Sequence, residues 1–421
     1  MLDSPAMKST PAVRTALLIL AGLAFAPLAR AQEDAALQHA RELLRQTPLV
    51  DGHNDTPWLI HETAGGDVAK YDLRKHGPHE TDLARLREGQ VGAQFWSVWV
   101  PSVDSGSARM QLEQIDIARR MIAAYPEALV FATRAADIEA AHRAGKIASF
   151  LGMETGRSLE NSLFALRAYY ELGVRYMTLT HGRNTDWADS ATDDPKHGGL
   201  TPFGEEVVRE MNRLGMLVDL SHVSPAVMRQ ALDISEAPVI FSHSSTLAVT
   251  AHPRNVPDDV LARLRTNGGV VMITFIPAFV STKVMDWEGP LLKQLQGATT
   301  MDDFARLEKE REAVVGPKPR ATIQDVADHI DHAVKVAGAD HVGIGSDFAG
   351  VGMPAGLEDV SRYPYLFAEL VRRGFKDEDL KKLAGTNLVR AFAQAETVSA
   401  RLRKERPPST ATLEALDGPG R

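Results

Sequence analysis

Eight short apolar runs recur along this chain, separated by longer amphipathic stretches. They are PLVDGH (48–53), GAQFWSVWV (92–100), IASFLGME (147–154), RYMTLTH (175–181), MLVDLSH (216–222), PVIFSH (238–243), GVVMITFI (269–276) and HVGIGSD (341–347). Between them, segments such as SLENSLFALRAYYELG, PFGEEVVREMNRLG and TIQDVADHIDHAVKVAG carry apolar residues three and four apart, the spacing of a helix with one buried face. In the first of these, Ser158 is the expected N-cap and Gly173 the expected stop. Strand and helix alternating to eight strands predicts a parallel sheet closed into a (β/α)8 barrel of the TIM type. An open doubly wound sheet is the competing layout, but no G-x-G-x-x-G follows the first strand, so its dinucleotide-binding form lacks the usual mark.

The ends of the runs are polar in a consistent way. His53 and Asp55 close the first, Glu154 the third, His181 the fourth, His222 the fifth, His243 the sixth and Asp347 the eighth. In a parallel barrel all these ends meet on one face, where the strand-to-helix loops build active sites. Each residue alone has an ordinary explanation, such as a helix cap for Asp347 or a structural role for His222. Together they do not, because buried unpaired carboxylates and imidazoles are costly unless something positive lies among them. A metal centre follows. Its donors exceed one four-coordinate ion with an open position, which suggests two ions, with Glu154 placed to bridge them. Imidazole with carboxylate suits zinc, and Mn2+, Co2+ or iron by the same ligand chemistry. A paired site of this kind holds a hydroxide at neutral pH and polarises a carbonyl oxygen, which is the chemistry of amide hydrolysis.

Composition narrows the setting. The chain has 421 residues, no cysteine, a formal charge of −8 and a pI near 6.0. Thiolate ligands, thiol nucleophiles and disulfides are thereby excluded, and a nucleic-acid partner, which favours a basic surface, is not expected. Residues 1–31 read as an export signal: Lys8 and Arg14 precede the apolar TALLILAGLAFAPLA, and Ala29–Ala31 form a small-x-small cleavage site. That run is shorter than the ~20 residues a membrane span needs, so a periplasmic or secreted protein without a stable membrane anchor is expected. The barrel is then expected over 32–398, with a charged helical excursion at about 280–320, and 399–421 as a loose polar tail.

The motifs VDGHNDTPW, GAQFWSVWVP, LEQIDIARRM, LTHGRNTDWADS, DLSHVS, FSHSS, RNVPDD and GSDFAGVG resemble those of the membrane dipeptidase (renal dipeptidase) family of zinc peptidases, over about residues 36–396. The resemblance implies a (β/α)8 barrel holding two zinc ions that cleaves dipeptides, usually as a homodimer. It implies that His53 and Asp55 bind one zinc, that His222 and His243 bind the other, and that Glu154 bridges both. It further implies that His181 contacts the substrate near the scissile carbonyl, Arg254 pairs with the substrate's terminal carboxylate, and Asp347 handles the proton. Substrates with a C-terminal D-residue are included in the expectation. The sequence departs from the family at Thr155, where many relatives have glycine, and in the longer 280–320 stretch. Asp186 and Asp189, in NTDWADS, are expected to shape their loop. The alternative is another binuclear amidohydrolase acting on lactones, cyclic amides or phosphotriesters. Those enzymes usually open with His-x-His, whereas this chain opens with His-x-Asp.

Overall fold

The computed structural model describes residues 25–103, 105–291, 294, 301–348 and 352–418. Nine parallel strands form the sheet: β1 (Leu49–Asn54), β2 (Val91–Ser97), β3 (Leu129–Phe131), β4 (Ile147–Glu154), β5 (Val174–Thr178), β6 (Leu217–Asp219), β7 (Ile240–Ser244), β8 (Val270–Ile273) and β9 (Val342–Ile344). Strand β1 pairs with both β2 and β9, β2 pairs with β4, and the ladder runs on from β4 through β5, β6, β7 and β8 to β9. Eight strands therefore close the predicted barrel. The unforeseen ninth, β3, bonds to the first residues of β4 on the edge that β5 occupies further along.

The barrel is filled where its strands begin. Val50, Phe95, Phe150, Tyr176 and Met272 point inward and meet Leu388 and Phe392 of the helix Asn387–Glu405. The Phe95 and Phe150 rings stack 4.7 Å apart, and Phe392 meets Phe150 edge-on at 5.7 Å. Tyr176 crosses the lumen over Gly152, where any side chain would collide with its phenol ring. A second apolar layer joins the outer strand faces to the surrounding helices. This division, with side chains layered inside the cylinder and helices outside, is what the alternating sequence requires.

Several boundaries differ from expectation. The runs at 175–181, 216–222, 269–276 and 341–347 leave the ladder early, and their last residues lie in loops instead of paired strands. Ser158 lies in a 3-10 turn, and the helix Leu163–Glu171 is capped by Ser162, whose Oγ accepts from Ala165 N at 3.3 Å. The 280–320 stretch is helical over Thr282–Glu288 and Met301–Val315. It is tied to itself by Trp287 Nε1 donating to Gly316 O at 3.0 Å and by Lys318 pairing with Glu308 at 2.6 Å.

The loose tail expected from 399 is corrected. The helix Asn387–Glu405 runs through that boundary, Leu413 is buried, and Phe203 N donates to Asp417 at 3.0 Å, because the tail has an apolar anchor of its own. Of the expected leader, residues 1–24 lie outside the described residues, while 25–31 belong to the helix Phe25–Gln46. No helix among the described residues is long and apolar enough to cross a membrane.

Candidate metal centre and active site

The polar residues named from sequence converge at the end where the strands finish. His53 lies within β1, and a shift in the β1–β2 register between Asp51 and Asn54 accompanies its turn toward the lumen, where Tyr176 meets it. Asp55 follows the strand and stands at the N-cap position of the helix Thr56–Ala64, where its carbonyl accepts from Trp58 N and Leu59 N but its side chain makes no cap bond. Its Oδ2 instead lies 3.4 Å from His53 Nε2. Glu154 is the last residue of β4, and its two oxygens serve different neighbours. Oε2 faces His53 Nε2 at 3.3 Å, while Oε1 faces His222 Nε2 at 2.9 Å and His243 Nε2 at 3.4 Å. Asp347 Oδ1 lies 3.7 Å from His53 Nε2, and His181 Nε2 lies 3.6 Å from Glu154 Oε1.

Two of these side chains are carried on strained backbone. His222 has φ 70° and Asp347 φ 65°, the left-handed region that costs a residue with a Cβ about 1–3 kcal/mol. Hydrogen bonds hold both turns. Ala191 N donates to His222 O at 2.7 Å, and Asp347 N donates to His53 O at 3.1 Å. Thr155, the departure beside Glu154, also has an unusual φ of 154°, which explains why glycine suits the position, and its hydroxyl accepts from Arg157 N at 3.2 Å.

The electrostatics fit a cation in this cluster. Burial would raise Glu154, yet His53, His222 and His243 hold its carboxylate well below the usual range. Burial lowers both His222 and His243, with Arg254 adding to it at His222 and His53 at His243, which favours the neutral ring that keeps a lone pair for a ligand. His53 goes the other way: despite burial, Tyr176, Glu154 and Asp55 raise it well above its ordinary value. A dication would take the place of that attracted proton. Among the described residues, His53 Nε2, Asp55 Oδ1 and His222 Nδ1 are buried without a hydrogen-bond partner. Two compact donor groups result, His53–Asp55–Glu154 and Glu154–His222–His243, with Glu154 common to both. A third, His53–His243–Asp347, overlaps them.

Arg254 approaches from the loop after β7 and is only 2 % exposed. Its Nη2 donates to His243 O at 3.1 Å, its Nη1 to Ser244 Oγ at 3.4 Å, and Phe279 lies under the guanidinium at 5.4 Å. Its Nε has no partner, and no carboxylate among the described residues lies within ion-pair reach. Burial lowers it to about 10, so it stays charged at neutral pH. Burial, with Asp55 and Glu154 adding to it and His53 opposing, pushes Asp347 up to about 8. Asp189 accepts from the backbone of Lys196, His197 and Gly199, and Asp186 accepts from Asn161, so both shape the loop over the rim.

Sequence reasoning missed the supports around these groups. Ser97 Oγ donates to Glu154 Oε2 at 3.1 Å, Tyr176 meets His53, and Trp99 stands against His181 with ring centres 5.4 Å apart. The acids in VDGH and VDLSH signal further buried partners, since an ionisable residue inside an apolar strand must have them, but neither acid bonds to Ser97, Tyr176 or Trp99.

A closed parallel barrel with imidazoles and carboxylates gathered on its C-terminal rim defines a metal-dependent hydrolase. The chain belongs to the membrane dipeptidase family (Peptidase family M19), which matches residues 37–406. It is 42% identical over 369 residues to Dipeptidase 3 of Mus musculus, covering 86% of this chain and 67% of that protein. It is 41% identical over 385 residues to Dipeptidase verJ of Clonostachys rogersoniana, covering 88% of this chain and 90% of that one. Among solved structures, the probable dipeptidase PvdM from Pseudomonas aeruginosa superposes with a TM-score of 0.75 at 27% identity, covering 87% of this chain and 99% of that one.

Proposed function

We propose that this protein is a binuclear zinc dipeptidase that hydrolyses the single peptide bond of a dipeptide, including dipeptides that end in a D-residue. One observation carries the reading: Glu154 turns one oxygen to His53 and the other to His222 and His243. His53, Asp55 and Glu154 would hold one ion, and Glu154, His222 and His243 the other. Donors made only of imidazole and carboxylate suit zinc, with Mn2+ or Co2+ as substitutes. Bound there, the pair would supply water acidified to a pKa of about 7 and polarise the scissile carbonyl.

The protein's own side chains do the remaining work. Arg254 offers a planar, desolvated fork to the substrate's terminal carboxylate, and a longer peptide would leave that charge pair unmade. Dipeptide length is therefore read by one buried cation. His181, at the rim beside Glu154, donates a hydrogen bond to the carbonyl oxygen as charge develops there. Asp347, whose Oδ1 lies 3.7 Å from His53 Nε2 at the rim, is placed to take a proton and pass it to the leaving amine.

Metal analysis of the purified protein together with turnover on L,L- and L,D-dipeptides tests the proposal. Two zinc equivalents and hydrolysis of both series are expected. A protein that binds no metal, or cleaves tripeptides as well as dipeptides, would overturn it. The same reading takes the chain as an exported homodimer, periplasmic or secreted, with its first 31 residues removed. Sequencing of the exported protein's N-terminus and sedimentation of the product check those two points.

A further inference from the structure

Two acids stand in strand segments that should be apolar: Asp51 in LVDGH and Asp219 in LVDLSH. Both are fully buried, and neither belongs to the donor groups that share Glu154. Asp219 ends β6 and accepts Ser221 N at 3.0 Å and Ser242 N at 2.9 Å. The Ser242 hydroxyl also donates to it, and the same hydroxyl oxygen lies 2.8 Å from His243 Nδ1. A hydroxyl has one proton. Given to Asp219, it leaves the Ser242 oxygen able only to accept, so His243 carries its ring proton on Nδ1 and keeps the lone pair on Nε2. That Nε2 is the atom facing Glu154 and His222. Through Ser221 N, Asp219 also fixes the backbone just before His222, whose strained φ of 70° needs such a hold.

The other donor group is supported by different atoms. His53 Nδ1 lies 2.8 Å from the Tyr176 hydroxyl, which donates to Gly52 O at 3.1 Å. The same proton count leaves the lone pair of His53 on Nε2. Asp51 accepts from Ser346 N at 2.8 Å, from Ser346 Oγ at 2.7 Å and from the Tyr363 hydroxyl at 2.7 Å, which braces the chain just before Asp347. Strands β5 and β6 pair through their backbones, but among the described residues no side-chain hydrogen bond joins Asp219, Ser221 or Ser242 to Asp51 or Tyr176.

We propose that Asp219, acting through Ser242 and the backbone of Ser221, is a positioning residue for the His222–His243 metal position alone, while Tyr176 serves the His53–Asp55 position. Each half of the centre then has its own orienting shell, and the two affinities can be changed separately. The inference rests on the two-metal reading above.

The test is zinc content at equilibrium against a graded competing chelator. It compares the parent protein with Asp219→Asn, Ser242→Ala, Tyr176→Phe and the Ser242→Ala/Tyr176→Phe double variant. The parent should hold two equivalents. Asp219→Asn and Ser242→Ala should each keep one equivalent at parental affinity and bind the other about 10–100-fold more weakly, the usual cost of losing an outer-shell partner. Tyr176→Phe should also weaken one equivalent, and the double variant should weaken both, which shows that the two changes act on different positions. If the parent holds two equivalents but Ser242→Ala binds both as tightly, or weakens both alike, this inference is wrong and the two-metal reading stands. A double variant that keeps one tight equivalent overturns it as well. A parent that holds fewer than two equivalents overturns the two-metal reading and this inference with it. Should Asp219→Asn fail to fold, Ser242→Ala removes a single hydroxyl and carries the test.

Discussion

Where the strands begin, the lumen is closed by Phe95, Phe150 and Tyr176 against Leu388 and Phe392, rings on rings. Where the same strands end, it is closed by Glu154, His53, His222 and His243, with Arg254 beside them. The first end meets its packing needs from within the chain. The second leaves His53 Nε2, Asp55 Oδ1, His222 Nδ1 and Arg254 Nε buried without a hydrogen bond among the described residues. Each such atom costs about 1–3 kcal/mol unless something completes it. One end of the cylinder thus stores stability and the other stores binding capacity. The strained φ angles of His222 and Asp347 fall at the second end, where the stability reserve of the first can offset them.

The strongest way to break this comparison is Glu154→Gln. A neutral amide cannot balance two cations, so the variant should lose metal and fall to background turnover, while its melting temperature without metal stays close to the parent's. Parental turnover by this variant would remove the centre from the rim. Asp347→Asn should be milder and cleaner. Both metals should remain, and kcat should fall by about 10²–10⁴-fold, the usual contribution of a positioned acid–base group. If metal is lost along with activity, Asp347 is a ligand before it is a proton carrier. Arg254→Ala is smaller again. KM for dipeptides should rise by on the order of 10²-fold, in line with removing one partner of a buried charge pair, with kcat affected less. Because its guanidinium has no carboxylate partner among the described residues, the substitution should lower the melting temperature only by the loss of packing and of its hydrogen bonds to His243 O and Ser244 Oγ.

Much of this contrast was legible in the sequence, for an identifiable reason. In a parallel barrel the strand ends share a face, so residues as far apart as His53 and Asp347 can be assigned to one rim from periodicity alone. The run 147–154 became β4 residue for residue, because it is buried throughout and ends in the acid that faces the imidazoles. Other boundaries were less readable. Apolar character does not stop where strand pairing stops, so RYMTLTH and MLVDLSH looked like full strands while His181 and His222 lie on loops beyond Thr178 and Asp219. The three-residue β3 is too short to show a period, and one of its residues is exposed. Asp51 and Asp219 were visible as letters, but their roles depend on Ser346, Tyr363 and Ser242, contacts that only the folded chain reveals.

The smallest expected effect on chemistry comes from the opposite end. Phe392→Ala removes the ring that faces Phe95 and Phe150 and opens a hole in the floor of the barrel. A fully buried phenylalanine truncated to alanine costs about 3–5 kcal/mol, so the denaturation midpoint should drop markedly. Turnover per folded molecule and metal content should nevertheless match the parent, because the rim is held by hydrogen bonds from Asp51, Asp219 and the Tyr176 hydroxyl, and of these only Tyr176 also packs in the plug. Equilibrium unfolding measured alongside active-site titration separates the two quantities. If Phe392→Ala lowers kcat or metal affinity while most molecules remain folded, the ends are mechanically coupled through Tyr176, whose ring stacks on Phe95 at 5.3 Å and whose hydroxyl touches His53. The division of labour between floor and rim would then have to give way to a single continuous column from plug to metal ligand.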